Sequence, residues 1–331
     1  MKQEKKERAT LKRIVVYAYM ILILLTLVTA ATYTWFSISR TPRVSDMNLY
    51  VNAEEGLELS MDPTAEEWSL QLDLRDMVPV TTPLRPITWV DEEQRFYAAA
   101  YGIDGRLLPF GYWQPLTDER NANKDNSDGY YIKLTLFARS SSAVKVTLSE
   151  AVEVDEGIAG SGTYLIGTPV WDPEEIQHKN YGFGAETAVR IGLRITPVDT
   201  AGSPTGEEAD FFIYEPNANA HNGEEGAFKD TPSITGGENL VPRDNLIRQG
   251  MCLWTENDPV ERGVVVHAFG DFESNPTLFS LKEDEMVRID VYIWLEGQDQ
   301  DCVSEIRDAQ ILANLQFDAD PDTQSGLVPI E

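Results

Sequence analysis

Apolar and polar positions alternate with a period of two along much of this chain, and helical periodicity is scarce. The alternation predicts strands over 48–51, 57–61, 69–74, 131–138, 144–148, 188–195, 210–214, 263–267, 287–295 and 312–317. Several carry β-branched or aromatic residues on one face and polar residues on the other, as in RIGLRI and RIDVYIWL. That pattern suits sheets with one buried face. Polar, Gly- and Pro-rich loops separate them, the longest over 118–129, 197–209 and 215–240. The charge-rich segment 299–311 reads as a short helix or a loop. The expected fold is mainly β, a jelly-roll-like antiparallel β-sandwich with long loops. No internal repeat of solenoid or propeller length is apparent.

One segment departs from the alternation. Ile14 to Ser39 are 26 consecutive residues without a charged side chain, behind a basic start that holds Lys2, Lys5, Lys6, Arg8, Lys12 and Arg13. The apolar part is long enough for a bilayer core, which takes about 20 residues. The basic flank marks the cytoplasmic side, so the chain from about residue 40 onward is expected outside. Two readings of the segment stay open. As a retained anchor it is followed by interfacial aromatics, Tyr33, Trp35 and Phe36. As a signal it offers Val28, Thr29 and Ala30 as a small-residue site, with cleavage after Ala30. The expected organisation is a basic cytoplasmic tail over 1–13, an anchor or signal helix over 14–36, an extracytoplasmic domain over 37–318 and a flexible tail over 319–331. The protein is then a single-pass membrane protein, or is released to the cell surface.

Charge narrows the partners. The first 13 residues carry six basic and two acidic side chains, so the whole-chain charge of −28 leaves −32 for the remainder. Such a surface repels nucleic acid and anionic headgroups and favours solubility. The expected partners are the membrane, through the N-terminal helix, and a second copy or another envelope component. Cys252 and Cys302 are the only cysteines, and outside the cytoplasm they are a candidate disulfide. A staple closing that interval would contribute about 2–4 kcal/mol.

Little in the sequence announces catalysis. His178, His221 and His267 are widely spaced and form no paired zinc motif, and no GxSxG elbow is present. The Gly-rich piece from Gly157 to Gly167 lacks both a phosphate-loop ending and a dinucleotide fingerprint. No cofactor is expected apart from calcium. Glu296, Asp299 and Asp301 cluster at the end of an expected strand and are one candidate calcium set, with a solvated acidic turn as the competing reading. Asp318, Asp320 and Asp322 alternate as early EF-hand ligands do, but Thr323 stands where that loop needs Gly. Among the tryptophans, Trp294 lies in an alternating strand and reads as core. Trp113, within PFGYWQP, reads as a loop residue and a candidate exposed platform for a ligand.

The segment TYTWFSIS (32–39), followed by VSDMNLYVNA (44–53), resembles the start of secreted bacterial surface and biofilm-fibre proteins of the TasA/camelysin type. The segments YIKLTLFARSSSAVKVTLS, TAVRIGLRI, FIYEPN and VRIDVYIWLEGQDQDC are similar to exported proteins of clostridial Gram-positive bacteria. The resemblance implies a jelly-roll-like sandwich, export through a dedicated signal peptidase, and assembly into fibres by strand donation. It covers about a tenth of the chain in its first part, and no zinc-ligand motif carries over the family's protease claims. The expectation is a non-enzymatic envelope protein in which an exposed N-terminal strand, 44–51, pairs with the sheet edge of a neighbour. The alternative is a membrane-tethered module holding a glycan or peptide near Trp113 and the loop 215–240. An envelope hydrolase with a carboxylate pair is a third reading.

Overall fold

A computed structural model describes residues 16–29, 44–53, 56–74, 84–90, 93–102, 107–108, 110–116, 129–149, 162–167, 185–206, 209–215, 246–248, 250–253, 265–268, 277–299 and 309–321, with Cys302 and Ile306. Within them the chain is mainly β, with two mixed sheets and one N-terminal helix. The chain divides into two compact units, one comprising residues 1–41 with 101–106 and the other 42–100 with 107–331.

In the first unit the described element is a helix over 16–29. Eleven large apolar side chains on it, from Val16 to Val28, are each more than half exposed. Thr26 and Thr29 turn their hydroxyls back onto the helix, donating to Ile23 O at 2.8 Å and Leu25 O at 2.7 Å. A threonine bonded this way presents no unpaired donor to an apolar medium. At 1.5 Å per residue these fourteen residues rise about 21 Å, short of a hydrocarbon core of about 30 Å. Among the described residues no helix is long and apolar enough to cross a membrane. The expected segment 14–36 extends beyond them on both sides.

The second unit is built from strands β1 (Val44–Ala53), β2 (Leu57–Ser60), β3 (Gln71–Asp73), β4 (Pro86–Val90), β5 (Arg95–Ala98), β6 (Gln114–Pro115), β7 (Ile132–Ser140), β8 (Val144–Leu148) and β9 (Tyr164–Gly167). These are followed by β10 (Val189–Val198), β11 (Asp210–Glu215), β12 (Leu246–Arg248), β13 (Gly250–Leu253), β14 (Val265–Ala268), β15 (Phe279–Leu281), β16 (Met286–Glu296) and β17 (Ala309–Pro321). One sheet has the order β15-β8-β17-β1-β3, with β9 also on β17. The other runs β12-β11-β10-β16. On the far side of β16, β7 pairs along Met286–Ile293 and carries β2, and β4 pairs at Leu295 and Glu296 and leads to β5 and β6. Strands β13 and β14 pair separately.

Alternation explains the core. On β17, Ala309, Ile311, Ala313, Leu315 and Phe317 are buried, and on β16 so are Val287, Ile289, Val291, Ile293 and Leu295. With Leu49 and Val51 of β1 and Val189, Ile191 and Leu193 of β10 they form one apolar cluster shared by both sheets. The even positions of β16 face the opposite way, and there a second cluster lies. Tyr292 and Trp294 of β16, Tyr131, Phe211 of β11, Trp89 of β4 and Phe96 of β5 pack ring against ring. Trp89 and Phe211 are 4.3 Å apart between centroids and Phe96 and Tyr131 4.8 Å. Thus β16 is buried on both faces, as a central strand under two layers must be. Gly192 on β10 is where the aromatic layer comes closest. A Cβ there would stand 2.7 Å from Phe211 Cζ and 3.0 Å from Trp294 Cζ3.

The expectation of an antiparallel arrangement needs correction. β1 runs parallel to β17, β4 parallel to β16, and β12 parallel to β11. The expected C-terminal tail also begins too early, because β17 continues to Pro321 by pairing with β8.

Candidate functional site

The strand expected to be exposed for pairing with a neighbour is instead paired within its own chain. β1 runs along β17 from Val44 opposite Ala309 to Ala53 opposite Phe317, with one irregularity between Val44 and Asp46. Leu49 and Val51 are fully buried in the shared core. On the opposite face, Asn52 Nδ2 donates to Asn314 Oδ1 at 2.8 Å, and Asn314 Nδ2 donates to Gly162 O at 2.6 Å. The short strand β3 covers the other edge of β1 only at Tyr50, Val51 and Asn52, with backbone bonds extending this to Leu49 and Ala53. Among the described residues, positions 44–48 have β17 as their one strand neighbour. β1 is joined to the following strand by residues 54–56. Gly56 has φ +107° with nothing within 4 Å of where a Cβ would stand, a backbone conformation that glycine adopts without strain. Alternation of Asn, Leu, Tyr and Val in NLYV builds the seam locally, while its partner lies more than 250 residues away.

A second constellation forms where β16 ends. Arg190 of β10 and Asp299 form an ion pair at 2.5 Å, with side chains 5 % and 0 % exposed. Arg190 Nη1 also donates to Val189 O. Glu296 accepts from Trp294 Nε1 and from the Gln298 backbone N–H, both at 3.1 Å. Gln298 Nε2 donates to Thr88 Oγ1. Burial pushes the Glu296 carboxyl above its ordinary range, against the opposing pull of the Arg190 guanidinium and the hydrogen bonds from Trp294 and Gln298. The candidate calcium residues Glu296 and Asp299 are therefore brought together, but the positive charge that faces them is Arg190. Asp301 lies outside the described residues. Among those residues no group of three or more His, Cys, Asp or Glu side chains is disposed to hold a metal ion. The arrangement clamps the turn after β16 onto β10.

The remaining expected site residues fall elsewhere. Trp113 is buried, 4 % exposed, and its indole N–H donates to Leu108 O at 2.9 Å, so it is not the exposed platform expected of it. Its neighbour Tyr112 is the exposed ring. Trp294 is wholly buried, as a strand position of that pattern is expected to be. Asp318 and Asp320 lie on β17 and not in a calcium loop, and Asp318 accepts a hydrogen bond from Ser149 Oγ. Asp322 and the loop 215–240, apart from Glu215 at the end of β11, lie outside the described residues. Cys302 is buried in the shared core, while the side chain of Cys252, on β13, is outside the described set. Sequence reasoning missed Arg190. Its signal is RIGLRI itself, which puts two guanidinium groups on one face of a strand in a strongly acidic chain.

No protein-family model, no curated protein and no solved structure matches the chain.

Proposed function

We propose that this chain is an exported, non-enzymatic protein of the cell envelope, a β-sandwich of jelly-roll-like form that self-associates by exchanging β1. The carrying observation is the place of β1. It is the first strand of the second unit, it is tethered to the remainder of that unit through residues 54–56, and its long partner is the last strand. Every ladder bond and core contact it makes to β17 can be made identically to β17 of a second copy. Exchange of an identical element loses no contact, and a head-to-tail exchange that does not close grows a filament. The two sheets sharing one core support the sandwich reading. The helix over 16–29, apolar on all sides behind a basic flank, supports membrane targeting and export. The resemblance to TasA/camelysin fibre proteins points the same way.

The reading meets its test in competition. A synthetic peptide of residues 44–53 should shorten any oligomer ladder in a dose-dependent way, and a scrambled peptide of the same composition should not. A ladder indifferent to both peptides would remove strand exchange. Simple deletion of β1 is a poor test, because Leu49 and Val51 belong to the core and their loss would unfold the unit. For localisation, the native N-terminus is to be read by mass spectrometry in membrane and released fractions. An intact Met1 in membranes or a start near Ala31 in the released fraction both fit export, and an intact chain in the cytosol contradicts it.

A further inference from the structure

On the outer face of the second sheet, between the aromatic layer and a smaller cluster of Phe137, Val198 and Met286, lies a band of polar side chains. The register fixes who stands beside whom. Thr135 is opposite Asp290, Asp290 is opposite Arg194, and Arg288 is opposite Thr196. Arg194 and Arg288 are thus diagonal neighbours on one face of an antiparallel pair, roughly 7–8 Å apart at the backbone. Their bonding is incomplete. Arg194 lies over the rings of Trp89 and Phe211, at 5.4 Å and 5.5 Å, and among the described residues it makes no hydrogen bond or ion pair. Arg288 is partly exposed and pairs with Asp290 across 3.4 Å from its Nε to Oδ2, too long for a hydrogen bond, while Oδ1 of the same carboxylate accepts from Thr135 Oγ1 at 2.7 Å. Thr196 is 5 % exposed, and its buried hydroxyl has no hydrogen-bond partner among the described residues.

Buried polar atoms are almost always hydrogen-bonded, so three on one face that have no such bond among the described residues, Arg194 Nε, Arg288 Nε and Thr196 Oγ1, call for an explanation. We infer that Arg194, Arg288 and Thr196 form a binding site for one oxyanion, a carboxylate or a phosphate group. Guanidinium forks match the geometry of both, and the aromatic rings behind Arg194 hold its plane in place. The site is a locally positive spot on a chain of net charge −28, so it selects a single anionic group presented at close range rather than a polyanion, which the surrounding field repels. The group can come from a free small anion or from an acidic side chain of a second copy.

Calorimetric titration of the full chain in non-ionic detergent with inorganic phosphate separates these, alongside sedimentation of the same samples over a salt series. Saturable binding of one phosphate per chain, weakened about tenfold or more in Arg194→Gln and in Arg288→Gln, establishes a free-anion site. Arg194→Lys keeps the charge without the fork and should fall between wild type and Arg194→Gln. Arg95→Gln, which removes an exposed pairing with Glu93, should bind as wild type does. If phosphate does not bind, a salt-sensitive association of copies that Arg194→Gln abolishes, that Arg95→Gln leaves intact and that the 44–53 peptide does not compete places a carboxylate of a second copy in the site. Absence of both behaviours, or equal losses in Arg194→Gln and Arg95→Gln, overturns the inference. Either result is independent of β1 exchange, which the peptide reads separately.

Discussion

Removing the Asp299 carboxylate should destabilise the second unit far more than breaking an ordinary surface ion pair. The Arg190–Asp299 contact is 2.5 Å long and both side chains are out of water. Deleting one partner of such a pair strands the other charge in a low dielectric, which costs about 3–5 kcal/mol, against about 0–1 kcal/mol for an exposed pair. Here the second carboxylate of the cluster softens the blow. Glu296 already feels the Arg190 guanidinium and remains as a counter-charge in Asp299→Ala, so we expect the lower end, about 3 kcal/mol. Urea unfolding of the full chain in non-ionic detergent, followed by tryptophan fluorescence, measures this, since Trp294 donates to Glu296 within the same cluster. A companion variant tests the cause. Arg190→Met with Asp299→Leu and Glu296→Gln removes all three charges at similar volume, and should recover to within about 1 kcal/mol of wild type. A loss below about 1 kcal/mol in Asp299→Ala, or a triple variant no better than the single one, would refute a buried charge stripped of its close partner as the cause.

Three further outcomes follow from the same packing. Glu296 has a folded-state pKa raised above its ordinary 4.5, so its ionisation favours the unfolded chain as pH rises from 4.5 upward. Glu296→Gln should therefore gain on wild type between pH 4 and pH 8 in urea midpoint, and an offset that does not change with pH would contradict the sign. Gly192→Ala places a methyl 2.7 Å from Phe211 Cζ and should cost about 1–3 kcal/mol, with partial relief in Gly192→Ala/Phe211→Leu. Trp113→Ala should lower thermal stability through a lost core contact, by about 3 kcal/mol, and a variant that melts as wild type does would show the indole to be dispensable to packing.

The sequence carried the strands better than their partners. Each of the ten segments expected from alternation overlaps a strand, and 144–148 coincides with β8. β4 escaped because PITWV starts with proline and is buried at every position, so no alternation marks it. β9 escaped because four residues beside a glycine-rich stretch carry too little pattern. The parallel union of the first and last strands, and the Arg190–Asp299 pair 109 residues apart, depend on topology that local periodicity does not encode. Trp113 misled for a different reason. Flanking Gly and Pro do mark a turn there, but a turn can close over its own ring, and this one does so through Leu108 O. The acids at 296 and 299 were legible as a cluster, whereas the arginine that answers them came from another strand.

The central claim is that β1 of one copy can occupy the place beside β17 of another. Asn48 and Leu312 are register partners across that seam. Neighbouring strands lie about 4.8 Å apart, inside the range of about 4.4–6.8 Å that a disulfide spans between Cα atoms. In a background of Cys252→Ser and Cys302→Ala, one batch of protein carries Asn48→Cys and a second batch carries Leu312→Cys. The batches are mixed under assembly conditions and oxidised. A disulfide-linked pair containing one chain of each kind is the predicted result, and the chain bearing both substitutions should give a covalent ladder. If the mixture never crosslinks, and the doubly substituted chain closes only on itself, β1 stays at home and the account is wrong.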